Sequence, residues 1–156
     1  MKTMVVPCLS EEFQGLAAEP KTILLVEDNA DDERLTMRAI RHSEVPSIIQ
    51  VARDGEEALK YLTGPSARVP DLILMDLKLP KLDGLELLRK IRSTAATRLV
   101  PVVILTSSDE AIDIWESYGL RANSYVSKPV DFNEFIDAVR QLGMYWLSIN
   151  VSAKPV

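Results

Sequence analysis

From residue 21 onward, short apolar runs alternate with longer amphipathic stretches five times over, and few architectures accommodate that rhythm. Strands separated by helical segments cannot pair as hairpins. They are joined by crossovers and lie parallel, with helices on both faces of one sheet. Ile23-Leu24-Leu25-Val26 and Leu72-Ile73-Leu74-Met75 are unbroken apolar tetrads, as strands buried on both faces require. The expected fold class is α/β, a doubly wound parallel sheet of five strands.

The strands are predicted at residues 22–26, 47–52, 71–75, 102–105 and 124–126. The helices are predicted at about 30–42, 56–62, from 84 past Ile91, from about 109 to Gly119, and 131–147. Asn29 and Asp31 offer capping chemistry to the first helix, and Asp109 is the expected cap of the fourth, with Asp113 in its first turns. Asp54-Gly55 closes the second strand, and Gly64-Pro65 stops the helix that follows. Apolar faces are expected from Leu35, Ala39 and Ile40, from Ala58, Leu59 and Leu62, from Leu85, Leu88 and Ile91, and from Phe132, Phe135, Ile136, Val139 and Leu142. Residues 1–20 carry Pro7, Gly15 and Pro20 without a sustained period and read as a flexible N-terminal extension. The main domain spans 21–147 and a short tail 148–156.

Composition narrows the function. A chain of 156 residues, 47% hydrophobic and 26% charged, suits one globular domain. Its net charge of −5 and scattered basic residues argue against direct nucleic-acid binding. No apolar run approaches the roughly 20 residues of a membrane span, and no signal peptide is evident, so a cytoplasmic location is expected. The single cysteine, Cys8, excludes an intramolecular disulfide and implies no cysteine metal site.

The chemistry gathers where strands end: Glu27-Asp28, Asp76, Thr106, Tyr125 and Lys128-Pro129. In an open α/β sheet those ends form the ligand-binding edge. With the first and third predicted strands adjacent, Glu27, Asp28 and Asp76 converge, and three carboxylates so close repel unless a cation sits among them. A hard divalent ion with oxygen ligands, Mg²⁺, answers that need. Lys128 supplies a point charge for a carboxylate or phosphoryl oxygen, and Thr106 a hydroxyl donor. Carboxylate, cation, lysine and hydroxyl are the parts required to accept a phosphoryl group, with Asp76 the best nucleophile.

These motifs, from about residue 21 to 147, resemble the response regulator receiver domains of two-component signalling, which implies that the five-stranded parallel sheet has the order 2-1-3-4-5 of the flavodoxin-like doubly wound fold. The resemblance implies that Asp76, within Asp76-Leu77-Lys78-Leu79-Pro80-Lys81-Leu82-Asp83-Gly84, is phosphorylated by a sensor histidine kinase. It makes Asp28 a metal ligand, Glu27 a largely water-mediated one, and the backbone carbonyl of Lys78 a third contributor beside Asp76. Thr106 and Lys128 would contact the phosphoryl group, and Tyr125 would be the aromatic whose rotamer follows Thr106. Enzymatic activity would be limited to self-catalysed phosphorylation and autodephosphorylation. Two positions depart from the commonest pattern: Glu27 stands where aspartate is more frequent, and Leu79 where methionine is usual. The segments 51–59, 122–126 and 141–147 look like single-domain regulators that partner bacterial phytochrome-type kinases.

Other residues read more plainly. His42 falls at the end of the first helix, away from the pocket, as a solvent-facing residue favoured there by the helix dipole. Of Trp115 and Tyr118 on the fourth helix, one is expected in the core and one exposed. Met144, Tyr145, Trp146 and Leu147 cannot all face one side of a helix. Some must be exposed or covered by another chain, and the resemblance to phytochrome-linked regulators implies a twofold homodimer through the fourth helix, fifth strand and fifth helix. The competing readings are a phosphorylation-independent adaptor with the same fold and a small phosphatase or nucleotide-binding enzyme. The last is weakened by the lack of a G-x-G-x-x-G or G-x-x-x-x-G-K-[ST] loop.

Overall fold

The computed structural model describes residues 2–7, 19–65 and 68–153. Its elements are β1 (Lys2–Val6), β2 (Lys21–Val26), α1 (Ala30–His42), β3 (Ser47–Ala52), α2 (Gly55–Thr63), β4 (Leu72–Met75), α3 (Gly84–Ser93), β5 (Val102–Thr106), α4 (Ala111–Gly119), β6 (Ser124–Ser127) and α5 (Phe132–Met144). The sheet order is β1-β3-β2-β4-β5-β6. The last five of these are parallel to one another and occur in the expected 2-1-3-4-5 order.

The sixth strand is the departure. β1 pairs antiparallel with β3, from Lys2 opposite Val51 to Val6 opposite Ser47, so the first residues are not a flexible extension throughout. Val6 is buried in the core, and Lys2 reaches the buried Glu33 carboxylate of α1 at 3.4 Å. Arg53 approaches the same carboxylate at 3.2 Å from the end of β3. Cys8 lies outside the described residues.

Strand residues alternate between two apolar layers, as a pleat facing helices on both sides demands. Leu24, Val26, Ile73, Met75, Val102 and Ile104 pack with Ala58 and Leu62 of α2 and Leu87, Leu88 and Ile91 of α3. Ile23, Leu25, Leu72, Leu74, Val103 and Leu105 pack on the other face with Met37 and Ile40 of α1 and Phe135 and Val139 of α5. On α3 Leu87 takes the buried place expected of Leu85, which is only partly buried. On α5 Phe132 is exposed and its ring lies 5.6 Å from the Arg38 guanidinium carbon.

Helix starts follow side-chain capping. Asn29, Asp54, Asp83 and Asp131 each accept backbone N–H bonds from the first turn of their helix. The exception is α4, which begins after Glu110 without a side-chain cap, so Asp109 does not serve there. Its buried residue is Ser117, and Trp115 and Tyr118 are both exposed, correcting the expectation that one would enter the core.

At the end of α5 the backbone widens to one π turn, Tyr145–Ile149, where the Asn150 N–H donates to the Tyr145 carbonyl at 2.7 Å. The change of pitch resolves the apolar quartet: Leu147 is buried, Trp146 half-buried, and Met144 and Tyr145 exposed. His42 is exposed at the end of α1, as expected. Among the described residues, no helix is long and apolar enough to cross a membrane.

Candidate functional site

The site is assembled where the parallel strands stop. Beyond β2, the Glu27 N–H donates to the Ala52 carbonyl at 3.0 Å, prolonging the ladder by one residue and holding the Glu27 side chain inside. Its Oε1 accepts from the Asn29 N–H at 3.1 Å. Asn29 in turn caps α1 through the N–H groups of Asp31 and Asp32, at 2.9 and 3.0 Å, so the helix starts against the pocket. Beyond β4, the Asp76 N–H donates to the Val26 carbonyl at 3.1 Å, and Asp76 Oδ1 accepts from the Lys78 N–H at 3.2 Å.

Gly84 keeps the loop after Asp76 close to α3. A Cβ at this position would lie 2.5 Å from the Asp76 carbonyl oxygen and 2.6 Å from Leu77 Cα, both backbone atoms that cannot rotate aside. Across the pocket the Lys128 N–H donates to the Thr106 carbonyl at 2.7 Å, which continues the β5–β6 pairing and brings the lysine to the acidic edge.

Lys128 Nζ lies 2.7 Å from Glu27 Oε2, 2.8 Å from Asp32 Oδ2 and 2.8 Å from Asp76 Oδ2, and its side chain is almost fully buried. Burial alone would lower the pKa of this ammonium. The hydrogen bonds to Asp32, Asp76 and Glu27 outweigh it and hold the group above its ordinary 10.5. Burial pushes the Glu27 carboxyl above its ordinary 4.5, against the opposing pull of Lys128 and the Asn29 N–H.

Glu27, Asp28 and Asp76 each bring one carboxylate oxygen within 4.8 Å of the others. Octahedral Mg²⁺ with bonds of about 2.0–2.1 Å separates its ligand oxygens by roughly 3–4 Å, so a small inward adjustment brings these three oxygens around one such ion. With Asp32 the pocket holds four carboxylates against one ammonium, and an all-oxygen donor set with surplus negative charge suits a hard divalent cation.

Thr106 and Tyr125 flank this cluster. Thr106 is buried at the end of β5, and its Oγ1 accepts from the Ser108 N–H at 3.3 Å. The Tyr125 hydroxyl donates to the Ser108 carbonyl at 2.8 Å, and the Ser108 hydroxyl donates to Asp113 of α4. Burial, helped by the charges of Asp113, Asp76 and Asp109 and opposed by the contact with Ser108, raises the Tyr125 phenol pKa. Neither Thr106 nor Tyr125 touches Asp76 through a described hydrogen bond.

Two participants escaped the sequence reading. Asp32 lies five residues after Glu27, and the signal available was its place in the first turn of a helix that begins at the acidic edge. Ser108 joins Thr106 to Tyr125 largely through backbone atoms, which no residue type announces.

Comparison with known proteins agrees with this geometry. Residues 23–140 match the family model described as response regulator receiver domain. The chain is 39% identical over 142 residues to the probable methanogenesis regulatory protein FilR2 of Methanothrix harundinacea, covering 89% of this chain and 92% of that one. It is 36% identical over 132 residues to response regulator Rcp1 of Synechocystis, covering 82% and 90%. Among solved structures, the phosphorylated cyanobacterial phytochrome response regulator RcpA superposes with a TM-score of 0.83 at 40% identity, covering 86% of this chain and 99% of that one. The Mn²⁺-bound form of Rcp1 gives 0.83 at 34% identity, covering 86% and 100%. An acidic triad and a buried lysine at the carboxyl edge of a 2-1-3-4-5 sheet, together with a family match across three quarters of the chain, place this protein in the response regulator receiver domain family.

Proposed function

We propose that Asp76 accepts a phosphoryl group from a histidine of a sensor kinase. The observation that carries this reading is the convergence of three carboxylates on the Lys128 ammonium at 2.7–2.8 Å, at the strand ends where the Glu27, Asp28 and Asp76 oxygens also cluster. An Asp76 carboxylate oxygen forms the new bond to phosphorus. The P–N bond to the kinase imidazole breaks, and its electron pair leaves with the nitrogen, which takes up a proton. Hydrolysis later returns the carboxylate and inorganic phosphate.

Glu27, Asp28 and Asp76, with the Lys78 carbonyl, would hold Mg²⁺, which when bound offsets negative charge on the carboxylates and on the phosphoryl oxygens. Lys128 donates to a phosphoryl oxygen, and the Thr106 hydroxyl donates to another once its contact with Ser108 yields. That movement releases the strand end to which Tyr125 is tied through the Ser108 carbonyl, so the phenol turns inward and α4 follows.

The face that changes carries the exposed Ile112, Trp115 and Tyr118 of α4. Beside it lies a groove between β6 and α5 lined by Val126, Glu134, Asp137, Tyr145 and Trp146. A homodimer through α4, β6 and α5 covers that apolar surface. Similarity to RcpA and to the bacteriophytochrome response regulator AtBRR favours a phytochrome-type kinase as donor.

The test is incubation with acetyl phosphate and Mg²⁺, followed by intact mass and sedimentation. One phosphoryl group on the wild type and none on Asp76→Asn, with the fold preserved, supports the assignment. An unlabelled wild type, or an Asp76→Asn chain that labels equally, refutes it. A wild type that labels and stays monomeric at tens of micromolar overturns the dimer alone.

A further inference from the structure

The three N–H bonds of the Lys128 ammonium match its three acceptors: Glu27 Oε2 at 2.7 Å, Asp32 Oδ2 at 2.8 Å and Asp76 Oδ2 at 2.8 Å. A phosphoryl oxygen can gain one of these donors only if a carboxylate gives it up. The three acceptors are not equivalent in what else they must do. Glu27 and Asp76 belong to the oxygen cluster with Asp28, and Asp76 is also the proposed nucleophile. Asp32 lies outside that cluster, and among the described residues its carboxylate accepts a hydrogen bond from Lys128 alone.

Its position is independently fixed. The Asp32 N–H is held by the Asn29 side chain at 3.0 Å in the first turn of α1, so its carboxylate projects from a rigid helix start. The lysine has the opposite character, a charge on a stem with four rotatable bonds that finds its geometry only from its partners.

We propose that Asp32 is a positioning residue for phosphoryl transfer, holding the Lys128 ammonium over the pocket while Asp76 exchanges its partners. This rests on the reading of Asp76 as phosphoacceptor. As Asp76 bonds to phosphorus, the N–H that had pointed at its Oδ2 turns to a phosphoryl oxygen. The other two N–H bonds stay on Asp32 and Glu27, and Lys128 transfers no proton. Without Asp32 the ammonium keeps a single partner through the exchange and samples orientations that leave the phosphoryl oxygen unmet.

Asp32→Ala removes the acceptor, whereas Asp32→Asn removes the charge and keeps an amide oxygen in nearly the same place. The experiment compares both with wild type and Asp76→Asn in two measurements. The first is the rate of labelling by acetyl phosphate with Mg²⁺. The second uses metal-free protein: the ¹H–¹⁵N signal of the Lys128 ammonium, assigned with Lys128→Arg, which is visible only when hydrogen bonds slow proton exchange. Asp32→Ala should label about tenfold more slowly and weaken the ammonium signal, since two of three partners remain, with Asp32→Asn restoring both to within about threefold of wild type.

Wild-type labelling and an intact ammonium signal in Asp32→Ala overturn the inference while leaving the function standing. An Asp32→Asn chain as impaired as Asp32→Ala overturns it in favour of a charge effect. A wild type that fails to label sinks the phosphoacceptor reading, and this inference falls with it.

Discussion

Arg92 offers a measurable test of how the end of the sheet opposite the acidic pocket is held together. Its buried guanidinium makes no ion pair among the described residues. Instead it donates five hydrogen bonds of 2.7–3.1 Å to four oxygens: the carbonyls of Arg98, Val100 and Arg121 and the Asn123 side chain. The end of α3, the entry to β5 and the turn between α4 and β6 thus converge on one planar fork. Burial and the nearby Arg121 charge lower the pKa of Arg92, so part of the gain is spent on desolvation.

Replacing Arg92 with Met keeps much of the apolar stem and removes every donor. The bond to Val100 is buried, and an unsatisfied carbonyl of that kind costs about 2 kcal/mol. The other contacts are partly buried, and with water able to replace the guanidinium each loss is about 1 kcal/mol. Asn123 Oδ1 suffers least, because the Val102 N–H still donates to it at 2.8 Å. Relief of guanidinium desolvation returns about 2 kcal/mol, leaving a net loss of about 3 kcal/mol. For a domain of this length that corresponds to a melting temperature roughly 10 °C lower. Urea unfolding followed by tryptophan fluorescence and circular dichroism measures it, with coincident transitions as the check on two-state behaviour. A loss below about 1 kcal/mol would refute the claim that this guanidinium fastens three segments.

Other perturbations have defined outcomes. Gly84→Ala should cost about 2 kcal/mol, because the new Cβ meets backbone atoms of Asp76 and Leu77, and folded protein should also label more slowly with acetyl phosphate. Asp54→Ala should lower stability by about 1 kcal/mol through loss of the α2 cap. The Glu57 N–H, followed by Lys81, draws the Asp54 carboxyl below its ordinary 3.8, so its stabilising effect is complete above that pH and fades as pH falls through the folded value. The gap between acid titrations of wild type and Asp54→Asn should therefore start to narrow as pH falls below about 3.8; parallel curves would contradict the assignment. Deleting residues 1–6 should cost about 2 kcal/mol from the burial of Val6 and accelerate hydrogen exchange of β3 amides, and unchanged exchange would mean that β1 does not protect the edge.

Much of the fold was legible because strands buried on both faces leave continuous apolar runs, and because aspartate and asparagine mark helix starts through a local hydrogen bond. Asn29, Asp54 and Gly64 are cases where the physics lies within a few residues. The parts that were not legible depend on distant partners. Lys2–Val6 is a strand only because β3, more than 40 residues later, supplies its ladder, and nothing within KTMVV states that dependence. On α4 the aromatic pair Trp115 and Tyr118 suggested that one ring enters the core, yet both are exposed and the helix turns Ser117 inward. In the pocket, Glu27, Asp28, Asp76 and Lys128 were readable as strand-end residues. Asp32 was not, since its role emerges only when the lysine arrives from 96 positions downstream.

The antiparallel course of β1 also matters for anyone who attaches something to this chain. Lys2 sits opposite Val51, at the end of the sheet where β3 runs out toward the acidic pocket, and it grips the helix that carries Asp32. A tag or reporter joined ahead of this strand would emerge on that rim of the sheet, and under the phosphoacceptor role proposed for Asp76 it slows labelling by obstruction. α5 begins four residues after Lys128 and carries the chain about 20 Å along its axis, so a label joined beyond it is the safer handle for kinetic work.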